Sequence, residues 1–157
     1  PQLELVKRGY KGTIYQTHGV ANADYIRIGG KAVEGTRLAV APVLVAEQLS
    51  DDHPTKKAGM QYVNKYENEH GAGSRSLFGS TAWTAYSMLN AAIPVAMEKA
   101  QPGTPEFRQA LRDALENMEE VVSPEGVFNM SPENHNGLDE RGQVMVSVEN
   151  GNWKLEQ

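Results

Sequence analysis

The sequence contains no cysteine, which removes disulfide staples, thiol nucleophiles and thiolate metal sites together. It leaves the compartment open. Long apolar runs are also missing. The longest, Leu38 to Ala46, is about half of the roughly 20 residues a membrane helix requires, and Pro42 interrupts it. Basic residues are outnumbered, 15 against 20 acids for a net charge of −5, and they form no dense stripe. Gripping a polyanion needs clustered cations that release counterions from phosphates, so no nucleic-acid partner is expected. Residues 1–8 lack the basic start, apolar centre and small-residue cleavage site of a secretory signal. Any export signal is expected to lie outside this sequence.

What is present is ordinary for a globular chain. Apolar residues make up 39% and charged residues 22% of 157, and that length sets one domain as the prior. No internal repeat or low-complexity segment occurs. Leu3, Leu5 and Val6 followed by Gly9 read as the end of a helix stopped by a C-terminal glycine, with Lys7 and Arg8 complementing the helix dipole. Residues 12–17, rich in β-branched and aromatic types between Gly12 and Gly19, read as a strand. A helix is expected over Ala21 to Ile28, ended by Gly29-Gly30. A second strand is expected over Gly35 to Leu44, apolar enough for burial on both faces. Helix, strand, helix, strand implies a parallel sheet.

Ser50-Asp51-Asp52-His53-Pro54 signals a helix start, with the helix running to Glu69 and breaking at Gly71. From Thr81, the spacing of Ala82, Trp83, Tyr86, Leu89, Ile93, Ala96 and Ala100 predicts a core stripe on a helix that Pro94 should kink. Thr104 and Pro105 predict the next helix start, with Phe107, Leu111, Ala114, Leu115 and Met118 as its apolar stripe. Ser131 to Gly142 reads as a long ordered connection. Residues 143–148, an Asn150-Gly151 turn and residues 153–155 predict a terminal hairpin.

The chemical candidates are few. Gly71-Ala72-Gly73-Ser74-Arg75-Ser76 follows a helix and lacks a third glycine, so it reads as a helix-ending loop rather than a phosphate cradle. Asp51, Asp52, His53 and His70 do not have metal-ligand spacing, and no metal or cofactor is expected. There is no nucleophile elbow, paired-carboxylate or His-Glu-x-x-His pattern, so no catalytic residues and no enzymatic activity are expected. His18 is set apart by its place directly after a predicted parallel strand, where open α/β sheets bind ligands. It is either a ligand contact or a surface histidine. Gly19 either lets backbone approach a ligand or serves the turn.

Taken in order, Tyr15-Gln16-Thr17-His18-Gly19-Val20-Ala21-Asn22, Gly29-Gly30, Val33-Glu34-Gly35-Thr36, Phe78-Gly79, Ala82-Trp83-Thr84-Ala85 and Gly151-Asn152-Trp153 resemble the C-terminal part of a type I periplasmic substrate-binding protein of the branched-chain or hydrophobic amino-acid ABC importers. The resemblance implies an α/β fold of three-layer α/β/α lobes, present here as the C-terminal portions of both. Residues 1–42 would belong to the second lobe, 43–130 to the helices of the first, 131–142 to a crossover, and 143–157 to a hairpin returning to the second.

The resemblance further implies a ligand held between lobes by His18, Gly19, Thr17 and Phe78, the last placed against the ligand side chain. Relatives place an acid at the His18 position to receive the ligand's ammonium group. A neutral histidine cannot replace that pairing and a protonated one repels it, so a ligand without an α-amino group is expected. The implied partners are a small amino acid or carboxylate, an inner-membrane ABC permease, and either the N-terminal half of the same protein or a second copy of the chain. The implied location is the periplasm. A ligand-sensing regulatory domain of the same fold is the alternative role.

Overall fold

The structure is a computed structural model and describes residues 1–156. Helix α1, Gln2–Lys7, ends at Gly9, whose φ of +82° is the left-handed geometry expected of a helix-stopping glycine. Its apolar residues Leu3, Leu5 and Val6 face outward, while Gln2 is buried. The Gln2 amide donates to Ala32 O at 3.2 Å and to Thr36 Oγ1 at 2.6 Å. Its oxygen accepts from Gln16 Nε2 at 2.9 Å and from the Tyr25 hydroxyl at 2.5 Å. One buried amide therefore has all its polar capacity used in joining four segments.

Helix α2, Ala23–Gly29, is capped by Asn22, whose side chain accepts from Tyr25 N at 3.0 Å. Strand β1, Arg37–Val40, buries Leu38 and Val40 and exposes Arg37 and Ala39. The expected strand buried on both faces is therefore shorter and one-sided. It stops because Pro42 cannot donate to a ladder and instead starts two 3₁₀ turns over Pro42–Gln48, kinked at Val45.

Helix α3, Lys56–His70, packs on those turns, and Gly59 allows the contact because a side chain there would press on Ala46. Helix α4, Leu77–Met97, begins one turn earlier than expected, with Ser76 as its cap, and continues through Pro94. Helix α5, Pro105–Glu116, starts as predicted, with Thr104 Oγ1 accepting from Phe107 N at 3.1 Å. Two short strands, β2 (Val121–Val122) and β3 (Val127–Phe128), form an unpredicted pair. The terminal hairpin comprises β4, Val144–Glu149, and β5, Asn152–Leu155. Asn150 and Gly151 take φ of 52° and 72°, as a two-residue hairpin turn requires. The Glu34 carboxylate caps that turn, accepting from Asn150 N at 2.9 Å and Gly151 N at 2.7 Å.

The main sheet has the order β1-β4-β5 and is antiparallel throughout. The expected strand over 12–17 is reduced to one parallel bridge, Tyr15 to Arg37. The pairing is parallel as expected, but among the described residues β1 offers that segment its only strand partner. The core collects Leu38, Val40, Val43, Ala46, Tyr62, Val63 and Val146, its leucine and valines each contributing about 1.5–3 kcal/mol on full burial.

Helix α4 overturns its predicted packing. Its buried positions are Leu77, Ser80, Thr84, Ala92 and Ala96, a face of mostly small residues. Of the expected core stripe, Tyr86, Leu89 and Ile93 are exposed, while Ala96 is buried and Trp83 packs half-buried against the core. The small face wins because Ser80 and Thr84 have polar partners: the Ser80 hydroxyl donates to Glu125 Oε1 at 2.7 Å, and that of Thr84 to Ser123 Oγ at 3.2 Å.

Candidate functional site

Three segments converge on a crevice of about 440 Å³. Ala21, Asn22, Ala23, Ile26 and Arg27 come from the start of α2. Gly73, Arg75 and Ser76 come from the loop before α4, and Gly151 to Trp153 from the β4–β5 hairpin, with Leu44 between them. Each wall is fixed by local chemistry. Asn22 and Ser76 both spend their side chains as helix caps, Ser76 Oγ accepting from Gly79 N at 3.0 Å. Trp153 stacks on Tyr25 with ring centroids 6.0 Å apart and planes 10° apart, an arrangement that orients the indole beside the opening.

Arg75 is clamped between two acids, donating Nε to Glu67 at 2.7 Å and its terminal nitrogen to Glu47. Burial works to lower the Arg75 pKa, but the hydrogen bonds to Glu47 and Glu67 prevail and raise it. The same bonds hold both carboxyls below the ordinary carboxylate value. The guanidinium is thus a fixed charge at every physiological pH. The crevice is lined by two arginines and no carboxylate. The second, Arg27, pairs with Asp24 at 2.8 Å in solvent.

His18, Gly19 and Val20 form a 3₁₀ turn leading directly into the α2 wall. Phe78 belongs to the first turn of α4, two residues past Ser76, and is 82% exposed. Both predicted segments adjoin, in sequence, residues that line the crevice, Ala21 in one case and Ser76 in the other. His18, Thr17 and Phe78 do not line it. Gly19 instead lines a second groove, of about 570 Å³, between α1 and α2. Its backbone is not in the left-handed region, and a side chain there would meet nothing closer than Thr17 Oγ1 at 3.7 Å. Of its two readings, neither turn strain nor crowding within the chain demands the glycine.

Arg75 and Ser76 stood in the loop set aside as a phosphate cradle and Trp153 in a block carrying the resemblance, but none of the three was named as a ligand contact. Ser76 carried the one available signal, a helix-capping residue three positions before Gly79. Among the described residues no group of three or more His, Asp or Glu is placed to hold a metal, and no helix is long and apolar enough to cross a membrane.

No family model and no curated protein sequence matches the chain. Solved structures do. An extracellular ligand-binding receptor from Rhodopseudomonas palustris is 43% identical, superimposes on 100% of this chain and 44% of its own, and has a TM-score of 0.94. The chain has the fold of the type I periplasmic binding proteins and is similar over its whole length to an extracellular ligand-binding receptor. A putative branched-chain amino acid ABC transporter protein from Rhodospirillum rubrum matches at 25% identity over 99% of this chain and 40% of its own, with a TM-score of 0.70. A leucine-binding protein from Thermotoga maritima, 21% identical over 99% and 39% of the two chains, shares the fold with a TM-score of 0.74.

The chain therefore spans about 44% of the length of the R. palustris receptor. The structural neighbours are ligand-binding receptors and transporter binding proteins, not enzymes.

Proposed function

We propose that the chain is part of the solute-binding component of an ABC importer, capturing a small hydrophobic amino acid or a related carboxylate, aromatic acids included, by closure between two lobes. The observation that carries this reading is the full-length superposition on a ligand-binding receptor at 43% identity. The crevice between α2, the loop before α4 and the hairpin supports it, because it joins segments assigned to different lobes. In this reading residues 1–42 and 143–157 belong to one lobe, 43–130 to the other, and 131–142 cross back.

Capture needs no covalent chemistry. A ligand held by one lobe stabilises the closed arrangement only through the additional contacts it makes there. The R. rubrum neighbour is described as a branched-chain amino acid transporter protein and the T. maritima one as leucine-binding. Histidine in the strand-end loop argues for a ligand without an α-ammonium group, and the acid-free lining of the crevice agrees with it. The permease in the inner membrane, the periplasmic location and the N-terminal half of the same protein as a partner belong to the same reading. The alternative, a ligand-sensing domain of this fold, shares the site and differs only in what reads the closure.

Calorimetric titration of the full-length protein with leucine, valine, 4-methylpentanoate and benzoate tests the reading. Saturable binding of one of the two acids, tighter than leucine and valine, is expected. Preference for the amino acids would reject the His18 argument and keep the transport role. No saturation by any small solute across a wider panel would reject both.

A further inference from the structure

Adjacent residues at the end of the kinked 3₁₀ segment reach in opposite directions. Glu47 binds Arg75, and the surrounding backbone is fastened to α3, because Lys56 Nζ donates to Glu47 O at 3.1 Å and to Leu49 O at 2.7 Å. Ala46 is seated against Gly59. Residues 46–49 are therefore anchored to the helical part of the molecule. Gln48, in the same stretch, extends its amide to the open edge of β5. Its Nε2 donates to Trp153 O at 2.9 Å, and its Oε1 accepts from Leu155 N at 2.9 Å.

The primary amide has the donor and acceptor spacing of a neighbouring strand's peptide group, so it pairs with the edge as one residue of an added strand would. Among the described residues, these are the only side-chain hydrogen bonds joining residues 1–42 and 143–156 to residues 43–142. The two parts are joined covalently at residues 42–43 and 142–143 and share the core of Leu38, Val40, Val43, Val45 and Val146, and the first connection bends at Val45, which is non-helical inside the turns. We infer that Gln48 is a latch: it docks the helical unit onto the β5 edge and sets how freely the two units reorient about the Val45 kink. It acts on ligand capture through the population of the competent orientation, not by touching ligand.

The inference rests on the two-lobe reading above, and its test separates the two. In the full-length protein, spin labels at Lys57→Cys on α3 and Glu149→Cys on β4 report the distance between units, and this chain contributes no competing thiol. Gln48→Ala is expected to broaden and shift the distance distribution in the absence of ligand. Gln48→Glu, which keeps the acceptor and replaces the donor to Trp153 O by a repelling carboxylate, should do the same. Loss of two exposed hydrogen bonds predicts a change of about three- to tenfold in the half-saturating concentration of 4-methylpentanoate. Tighter binding follows if the latched orientation is the open one, and weaker binding if it is the closed one. Distributions and half-saturation identical to the parent protein in both variants would overturn the latch. Failure of any solute to bind, with the distributions still broadened, would reject the transport reading and leave the latch standing.

Discussion

Gly79→Ala offers a close test of how α3 and α4 are joined. The Tyr62 side chain is 1% exposed and lies between Tyr66 and Trp83, with ring centroids 5.4 and 5.8 Å away. Its hydroxyl donates to Ser76 O at 3.0 Å, tying α3 to the residue that caps α4. A Cβ at Gly79 would overlap that hydroxyl, whereas the next ring atom, Cζ, stands 3.5 Å away. In an open helix, Gly to Ala stabilises by about 1 kcal/mol. Here the methyl must displace the hydroxyl, which breaks one hydrogen bond, leaves a buried group unpaired and strains the packing. These terms together cost about 3–4 kcal/mol, so the net destabilisation is about 2–3 kcal/mol.

Tyr62→Phe alone removes one hydrogen bond and should cost about 1 kcal/mol. With the oxygen gone the alanine methyl fits, and the double variant should lie within about 1 kcal/mol of the parent. Urea denaturation of the four proteins yields the coupling energy, expected near 3 kcal/mol. Additivity of the two single effects, or a stabilising Gly79→Ala, would refute the geometry.

Gln2→Leu should destabilise by about 2–3 kcal/mol, because the Tyr25, Gln16 and Thr36 side chains lose a buried partner at once; thermal unfolding reads it. Arg75→Met should cost about 1–2 kcal/mol at neutral pH, less than a fully buried pair because Glu47 is half exposed. Since the folded pKa values of Glu47 and Glu67 lie below the ordinary 4.5, their stabilisation is complete above that value. It is lost as the pH falls through the lower folded values, so the gap between parent and variant should close on acidification and not on alkalinisation. Glu120, bonded to Arg141 and Asn129, has its pKa brought down to about 2. In Arg141→Ala, carboxyl NMR titration should find it shifted back towards the ordinary value. His18→Glu in the full-length protein should raise affinity for leucine relative to 4-methylpentanoate, and an unchanged ratio would take His18 out of the site.

Punctuation residues made much of the fold legible in the sequence. Gly9, the Thr104-Pro105 start and the Asn150-Gly151 turn act within a few residues of themselves, and the structure puts each where local chemistry demands. The orientation of α4 was not legible. Periodicity reports which face is apolar, but not which face has a partner among 157 residues. The pairing of Ser80 and Thr84 with Glu125 and Ser123, more than thirty residues on, decided that face. The expected parallel pairing of residues 12–17 with β1 is limited to a single bridge for a related reason. Strand 12–17 is local, but a ladder needs neighbours, and β1 takes β4, over a hundred residues later, on its other side. At the site, the resemblance named His18 and Phe78, which lie three residues before Ala21 and two after Ser76 in the crevice lining. Arg75 gave no warning, since its two acids lie 8 and 28 residues away.

The central claim is that a small solute is captured between the His18 turn and the loop before α4. A crystal structure of the full-length protein grown with its tightest-binding acid tests this directly. The account predicts the ligand lodged in or beside the crevice of Asn22, Ser76 and Trp153, with His18 and Phe78 in contact with it from opposite lobes. A ligand seated elsewhere, out of reach of both residues, would contradict it.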